Sequence, residues 1–218
     1  MNLVFLGPPG SGKGTQAARL SSKFGLIHLS TGDMLRDAVK RKTLLGQNAE
    51  GFMKRGELVP DSLIISMIEA KISDGELSNG FVLDGFPRTI PQAEALGKMF
   101  AQNGMKLDRA ILLSVPDEEI VKRLSGRFYC PTCNAGYNYP AALPRVDGIC
   151  DKDGSALQRR PDDDESVVRN RLEVYRLKTR PIEDYYRQHA LLCEIDAAKC
   201  PDTVFEALSK VVNSQAAR

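Results

Sequence analysis

Leu3-Val4-Phe5-Leu6 runs straight into Gly7-Pro8-Pro9-Gly10-Ser11-Gly12-Lys13-Gly14-Thr15, and the helical spacing Ala17, Leu20, Phe24 begins directly afterwards. A buried strand, a glycine-rich turn and a helix start in immediate succession leave a chain few choices. The glycines let the backbone wrap with its N–H groups turned inward. The helix N-terminus adds partial positive charge and Lys13 adds a full one, so the segment forms a nest for a polyphosphate. One position departs from the usual phosphate-binding loop. Gly14 follows Lys13 where Ser or Thr is common, and the hydroxyl is displaced to Thr15, so the customary hydroxyl ligand for magnesium is missing from its place.

Further short apolar runs follow: Leu26 to Leu29, Phe81 to Leu83, Ala110 to Val115 and Leu191 to Ile195. They lack polar alternation, as do strands buried on both faces of a parallel sheet. Helical patterns lie between them. Ile120, Val121 and Leu124 mark one, opened by Pro116 with Asp117, Glu118 and Glu119 in its first turn. Val204, Phe205, Leu208, Val211 and Val212 mark a C-terminal one, with Asp202 as its expected N-cap. Strands alternating with helices predict a doubly wound α/β core. Two stretches break the alternation and read as insertions. Residues 30–59 suggest short helices without a strand. Residues 126–163 carry three cysteines and four prolines (Pro131, Pro140, Pro144, Pro161).

Lys plus Arg total 30 against 28 for Asp plus Glu, which argues against a general nucleic-acid or membrane-surface binder. No apolar run approaches the ~18 residues of a membrane span. The first residues lack the basic and long apolar regions of a secretory signal. An odd cysteine count, five, then suggests reduced thiols or metal ligands in a cytoplasmic protein.

In open α/β sheets ligands gather at the carboxyl ends of the strands. After the second strand comes Ser30-Thr31-Gly32-Asp33-Met34-Leu35-Arg36, and after the third Asp84-Gly85-Phe86-Pro87-Arg88-Thr89, then Gln92. Asp84 closes its strand where a carboxylate can hold magnesium or its waters, and Arg36 and Arg88 can converge on one anion. Arg123 and Arg127, at i and i+4, are expected to share a helix face. With Arg160, Asp162, Asp163 and Arg171 they form a third charged group suited to a transferring phosphoryl group. Four mutually repelling arginines are expected to come together only over phosphates. The two histidines, His28 at a strand end and His189 within a C-terminal helix, suggest structural roles, and no nucleophilic triad is visible. Placed arginines without a general base fit transfer between phosphates better than phosphorylation of an alcohol. Finally, Cys130-x2-Cys133, sixteen residues, then Cys150-x2-Asp153 can close a tetrahedral zinc site of three thiolates and one carboxylate. Cys193 and Cys200 read as small core residues.

GPPGSGKGT at 7–15, STGDMLR at 30–36, DGFPRTIPQ at 84–92 and RRPDDDESVVRNRL at 159–172 together resemble the adenylate kinases in their long bacterial form, over essentially the whole chain. The resemblance implies a P-loop NTPase core with a five-stranded parallel sheet (1–29, 60–125 and 164–218), an AMP-binding insertion at 30–59 and a zinc-bearing lid at 126–163. It implies ATP plus AMP giving two ADP, with magnesium, in a cytoplasmic monomer without nucleic-acid or membrane partners. By the same resemblance Gly10, Ser11, Gly12, Lys13, Gly14 and Thr15 cradle the ATP phosphates, and Arg123, Arg127 and Lys199 meet ATP. Thr31, Arg36, Glu57, Leu58, Val59, Gly85, Phe86, Pro87, Arg88 and Gln92 bind AMP, with Gln92 at the adenine edge. Arg160 and Arg171 clamp the phosphates, Asp162 and Asp163 orient the arginines, and Asp84 holds magnesium-bound water. A kinase of the same fold acting on UMP, CMP or GMP is the nearest alternative. A P-loop switch or ATPase and a zinc-ribbon nucleic-acid module are more distant ones.

Overall fold

The apolar runs become β1 (Asn2–Leu6), β2 (Ile27–Ser30), β3 (Phe81–Asp84), β4 (Arg109–Ser114) and, beyond a small antiparallel hairpin of β5 (Arg127–Tyr129) and β6 (Gly136–Asn138), β7 (Leu192–Asp196). The computed structural model describes residues 1–75, 77, 79–139 and 141–216; Pro140 of the second insertion lies outside them. β1, β2, β3, β4 and β7 form one parallel sheet in the order β2-β3-β1-β4-β7. Successive residues point to opposite faces, and both faces are covered. Val4, Leu6, Leu83, Ala110 and Leu112 pack on one side, while Leu3, Phe5, Val82, Ile111 and Leu113 pack on the other. Each of these side chains larger than alanine contributes roughly 1.5–3 kcal/mol on burial. This is why the runs lack polar alternation.

The covering helices are α1 (Lys13–Phe24), α2 (Thr31–Lys40), α3 (Leu44–Arg55), α4 (Asp61–Ser73), α5 (Ile90–Gln102), α6 (Asp117–Ser125), α7 (Glu165–Val174), α8 (Pro181–Gln188) and α9 (Pro201–Ala216), with a π-helical turn at Tyr175–Thr179 between α7 and α8. α1 and α9 cover one face; α4, α5 and α8 cover the other. Residues 31–55 are the two short helices α2 and α3, as the pattern predicts. No described helix is long and apolar enough to cross a membrane.

Five local expectations are corrected. Cys200 is exposed rather than a small core residue. Arg123 and Arg127 do not share a helix: α6 ends at Ser125, Gly126 caps it, and Arg127 opens β5. Tertiary pairing overrides the helical period here, because the Tyr139 N–H donates to the Gly126 carbonyl at 2.8 Å and starts the hairpin. Asp202 lies in the first turn of α9 rather than capping it. Pro201 has no N–H to lose and takes the first helical position, so the Cys200 carbonyl accepts the Val204 N–H at 3.1 Å. His189 stands just past the end of α8, its Nδ1 2.7 Å from the Tyr185 carbonyl oxygen, and His28 sits inside β2 rather than at its end.

Candidate active site

Strand register brings the three loops to one level. Phe5 of β1 and Ser30 of β2 both pair with Asp84 at the end of β3, so the segments that follow leave the sheet side by side. The first is the glycine loop. Gly10 adopts a positive φ of 83° and passes so close to α6 that a Cβ would stand 2.9 Å from the Leu124 side chain, which only glycine permits. Lys13 folds back over the loop, donating to the carbonyls of Gly7 at 2.7 Å and Pro8 at 2.8 Å. A Cβ on Gly14 would lie 3.3 Å from Asp84 Oδ2, so a larger side chain would crowd the carboxylate, and glycine there is the consequence. Burial lowers the Lys13 ammonium to about 7; Asp84 opposes the shift, and Arg88, Arg171 and Arg127 reinforce it. Burial works to raise Asp84, yet His28, Lys13 and Arg88 outweigh it and hold the carboxyl below its ordinary value. His28 Nε2 is 3.6 Å from Asp84 Oδ2, a proximity its place in the sequence did not announce.

The second and third loops enclose a cleft. Thr31, Arg36, Glu57, Leu58 and Val59 line one side; Gly85, Arg88, Gln92 and Arg171 line the other. The Thr31 hydroxyl donates to the Gly85 carbonyl at 2.9 Å, and Arg88 Nε donates to the same oxygen at 2.8 Å. Arg36 lies close enough to Arg88 to disfavour its charge, after the larger effect of burial. The two arginines thus line the same cleft. The Phe86 side chain is fully buried in the core, and neither it nor Pro87 lines the cleft. Two residues to which the sequence reading assigned no role enter here. Asp33 accepts from Arg36 at 2.5 Å and lies 3.9 Å from Arg160, and Asp61 accepts from Gln92 Nε2 at 2.7 Å. Asp33 sat within a motif already singled out, whereas nothing local marked Asp61.

The third charged group closes over the other two. Arg127 donates to Asp163 through Nε at 2.6 Å and through a second, shorter bond, and Arg171 lies 2.9 Å from Asp162 and 3.4 Å from Asp163. Burial lowers Arg160 and Arg171 to about 10 each, with Arg127 adding to the shift in both and Asp162 opposing it in both. Arg127, Arg160 and Arg171 thus lie near one another with Asp33, Asp162 and Asp163 interleaved among them. Arg123 stands apart. It pairs with Glu119 at 3.0 Å and reaches the Ala198 carbonyl at 3.3 Å, in the turn that carries the exposed Lys199.

The cysteine segment folds into two matching turns. The N–H groups of Thr132 and Cys133 approach Cys130 Sγ at 3.4 Å, and that of Lys152 approaches Cys150 Sγ at 3.4 Å. One ligand atom each from Cys130, Cys133, Cys150 and Asp153 lie within 4.8 Å of one another. The Cys133 and Cys150 sulfurs are 3.5 Å apart. A tetrahedral metal with ~2.3 Å metal–sulfur bonds separates its sulfurs by roughly 3.8 Å, so the donor set fits a metal ion with little movement.

Comparison with known proteins agrees with this arrangement. The family model described as Adenylate kinase matches residues 5–191. An adenylate kinase of Carboxydothermus hydrogenoformans is 48% identical, over 97% of this chain and 99% of its own length. Those of Archaeoglobus fulgidus and Thermodesulfovibrio yellowstonii are 46% and 45% identical, over 97% and 99% of this chain and 98% and 100% of their own lengths. A glycine loop and an arginine-lined cleft at neighbouring strand ends, in a chain alignable from end to end with these proteins, place it in one group: the protein belongs to the adenylate kinase family.

Proposed function

We propose that the chain transfers the terminal phosphoryl group of ATP to AMP, reversibly, giving two ADP. The observation that carries this reading is a glycine loop after β1 and an arginine-lined cleft after β3 at adjacent strand ends, close enough that Arg88 disfavours the charge on Lys13. An AMP phosphate oxygen attacks the terminal phosphorus of ATP, and the bond from that phosphorus to the bridging oxygen breaks. The attacking oxygen carries no proton to remove, so positioning and positive charge suffice.

Gly10 to Thr15 hold the ATP phosphates, with Lys13 on the transferring group. Arg36 and Arg88 hold the AMP phosphate beside Thr31, Glu57 to Val59 and Gly85, while Gln92 meets the adenine. Arg127, Arg160 and Arg171 surround the transferring group; Asp163 orients the first and, with Asp162, the last. Arg123 and Lys199 meet ATP from the β7–α9 side. Magnesium supplies charge neutralisation on the polyphosphate, and Asp84, beside Gly14, is the carboxylate to hold its waters. Residues 30–59 form the AMP-binding insertion. Residues 126–163 form a lid that excludes water, with Cys130, Cys133, Cys150 and Asp153 holding a structural zinc ion. The protein acts as a cytoplasmic monomer.

The deciding experiment is ADP formation from ATP and magnesium with AMP, UMP, CMP or GMP. AMP is expected to be preferred by at least about tenfold in kcat/KM. Equal use of another monophosphate, or ATP hydrolysis independent of AMP, would overturn the reading.

Lys13 adds a pH signature. With its ammonium at about 7, the free protein holds it largely neutral at pH 8, and polyphosphate oxygens restore the charge. ATP binding at pH 8 should therefore take up close to one proton, and at pH 6 almost none. Titration calorimetry in buffers of different ionisation enthalpy measures this, and equal uptake at both values would contradict it. The sign for stability is the same. Between about 7 and 10.5 the unfolded chain binds a proton that the folded one lacks, so Lys13 makes stability rise with pH there.

A further inference from the structure

Gln92 is 2% exposed, lies in the first turn of α5 and lines the cleft. Both ends of its side-chain amide are already engaged. Oε1 accepts the Arg88 N–H at 2.7 Å, and Nε2 donates to Asp61 Oδ1 at 2.7 Å. A backbone N–H only donates and a carboxylate only accepts, so neither partner tolerates a flipped amide. Asp61 is itself pinned, because its other oxygen accepts the Thr89 hydroxyl at 2.8 Å, and Thr89 caps α5 by accepting the Gln92 N–H.

An amide has two N–H donors and an oxygen able to accept twice. One of each is used behind the cleft, which leaves one donor and one acceptor in a set order for a base. A 6-amino purine presents a donor beside an acceptor on that edge; a 6-oxo purine presents the reverse. In a given base pose, one amide orientation complements the first and opposes the second, and flipping it exchanges them.

We infer that Asp61 is a specificity-determining positioning residue, which locks the Gln92 amide in the orientation that accepts a 6-amino purine and rejects a 6-oxo purine. This rests on the cleft being the monophosphate site. Asp61 does not line the cleft, so it acts through Gln92. Misplaced buried donors and acceptors discriminate strongly, whereas shape alone does not.

The test is Asp61→Asn, assayed with AMP and with inosine monophosphate, which differs from AMP at the 6-position and the protonation of N1. Asparagine can offer its own NH2 to Gln92, so the flipped amide gains a partner, while the Arg88 N–H still favours the original. The ratio of kcat/KM for AMP over inosine monophosphate is expected to fall about tenfold. The AMP KM should rise, and kcat for AMP should stay within about threefold. Gln92→Leu should abolish most of the discrimination, and adding Asp61→Asn to it should change the ratio by less than about twofold. Asp61→Ser, whose hydroxyl both donates and accepts, gives the same test should the asparagine protein not fold. A folded Asp61 variant with an unchanged ratio overturns the inference, as does equal loss with both substrates or an equal change in the Gln92→Leu background. Wild-type protein that uses AMP and inosine monophosphate equally overturns instead the reading of the cleft as an adenine site.

Discussion

Arg88→Ala should lower kcat/KM for AMP by at least about 100-fold, the scale of losing ~3 kcal/mol of transition-state stabilisation. The guanidinium is anchored by its own Nε to the Gly85 carbonyl, which leaves its other nitrogens for an anion in the cleft. It is half-buried, and its partial removal from water holds it below its ordinary pKa, so an anion arriving there meets a charge that water only partly screens. The substitution carries a second signature. Arg88 helps to depress Lys13, so its removal should move the Lys13 titration upward and reduce proton uptake on ATP binding at pH 8. A folded Arg88→Ala protein with near wild-type kinetics would remove Arg88 from the phosphate site.

On the zinc assignment proposed above, stripping the metal should loosen residues 126–163 and lower the first melting transition by about 10 °C, roughly 3–4 kcal/mol for a chain of this size, while the parallel sheet stays folded. Among the described residues of 127–159 the buried side chains are Cys130, Pro144 and Cys150, whereas Leu143 and Val146 are 57% and 63% exposed. The ligand cluster therefore stands where a core would be, and small units of this kind depend on such a staple. Cys130→Ser should weaken the metal, since Cys130 is fully buried beneath both turns. Asp153→Cys should retain it, since a thiolate fills the fourth place. Metal analysis alongside thermal melting checks each variant. Protein purified without chelator that holds no metal, and whose three thiols react freely in the native state, would defeat the assignment.

Much of this was legible from residue order because the signals are local. The glycine loop needs no distant partner to be recognised: the positive φ of Gly10 and Gly12 and the helix beginning at Lys13 follow from neighbours in the chain. The strands were equally plain, because both sheet faces are covered and the central positions of β1, β3 and β4 must be apolar. Local reasoning misled where a distant contact intervened. The helical period carried Arg127 onto the end of α6, but the hairpin pairing of Gly126 with Tyr139 took it away.

The same division runs through the site. The sequence by itself determined which residue types stand at which strand ends, and hence that a glycine loop and arginines meet above the sheet. Tertiary structure alone decided how those charges are balanced and aimed. Arg127 meets a carboxylate 36 residues away and Gln92 one 31 residues away, separations that no periodicity encodes. The physical reason is one of range. Secondary structure follows from side-chain spacing within a few turns, whereas a buried ion pair or an amide's orientation depends on which donor and acceptor the completed fold brings within about 3 Å.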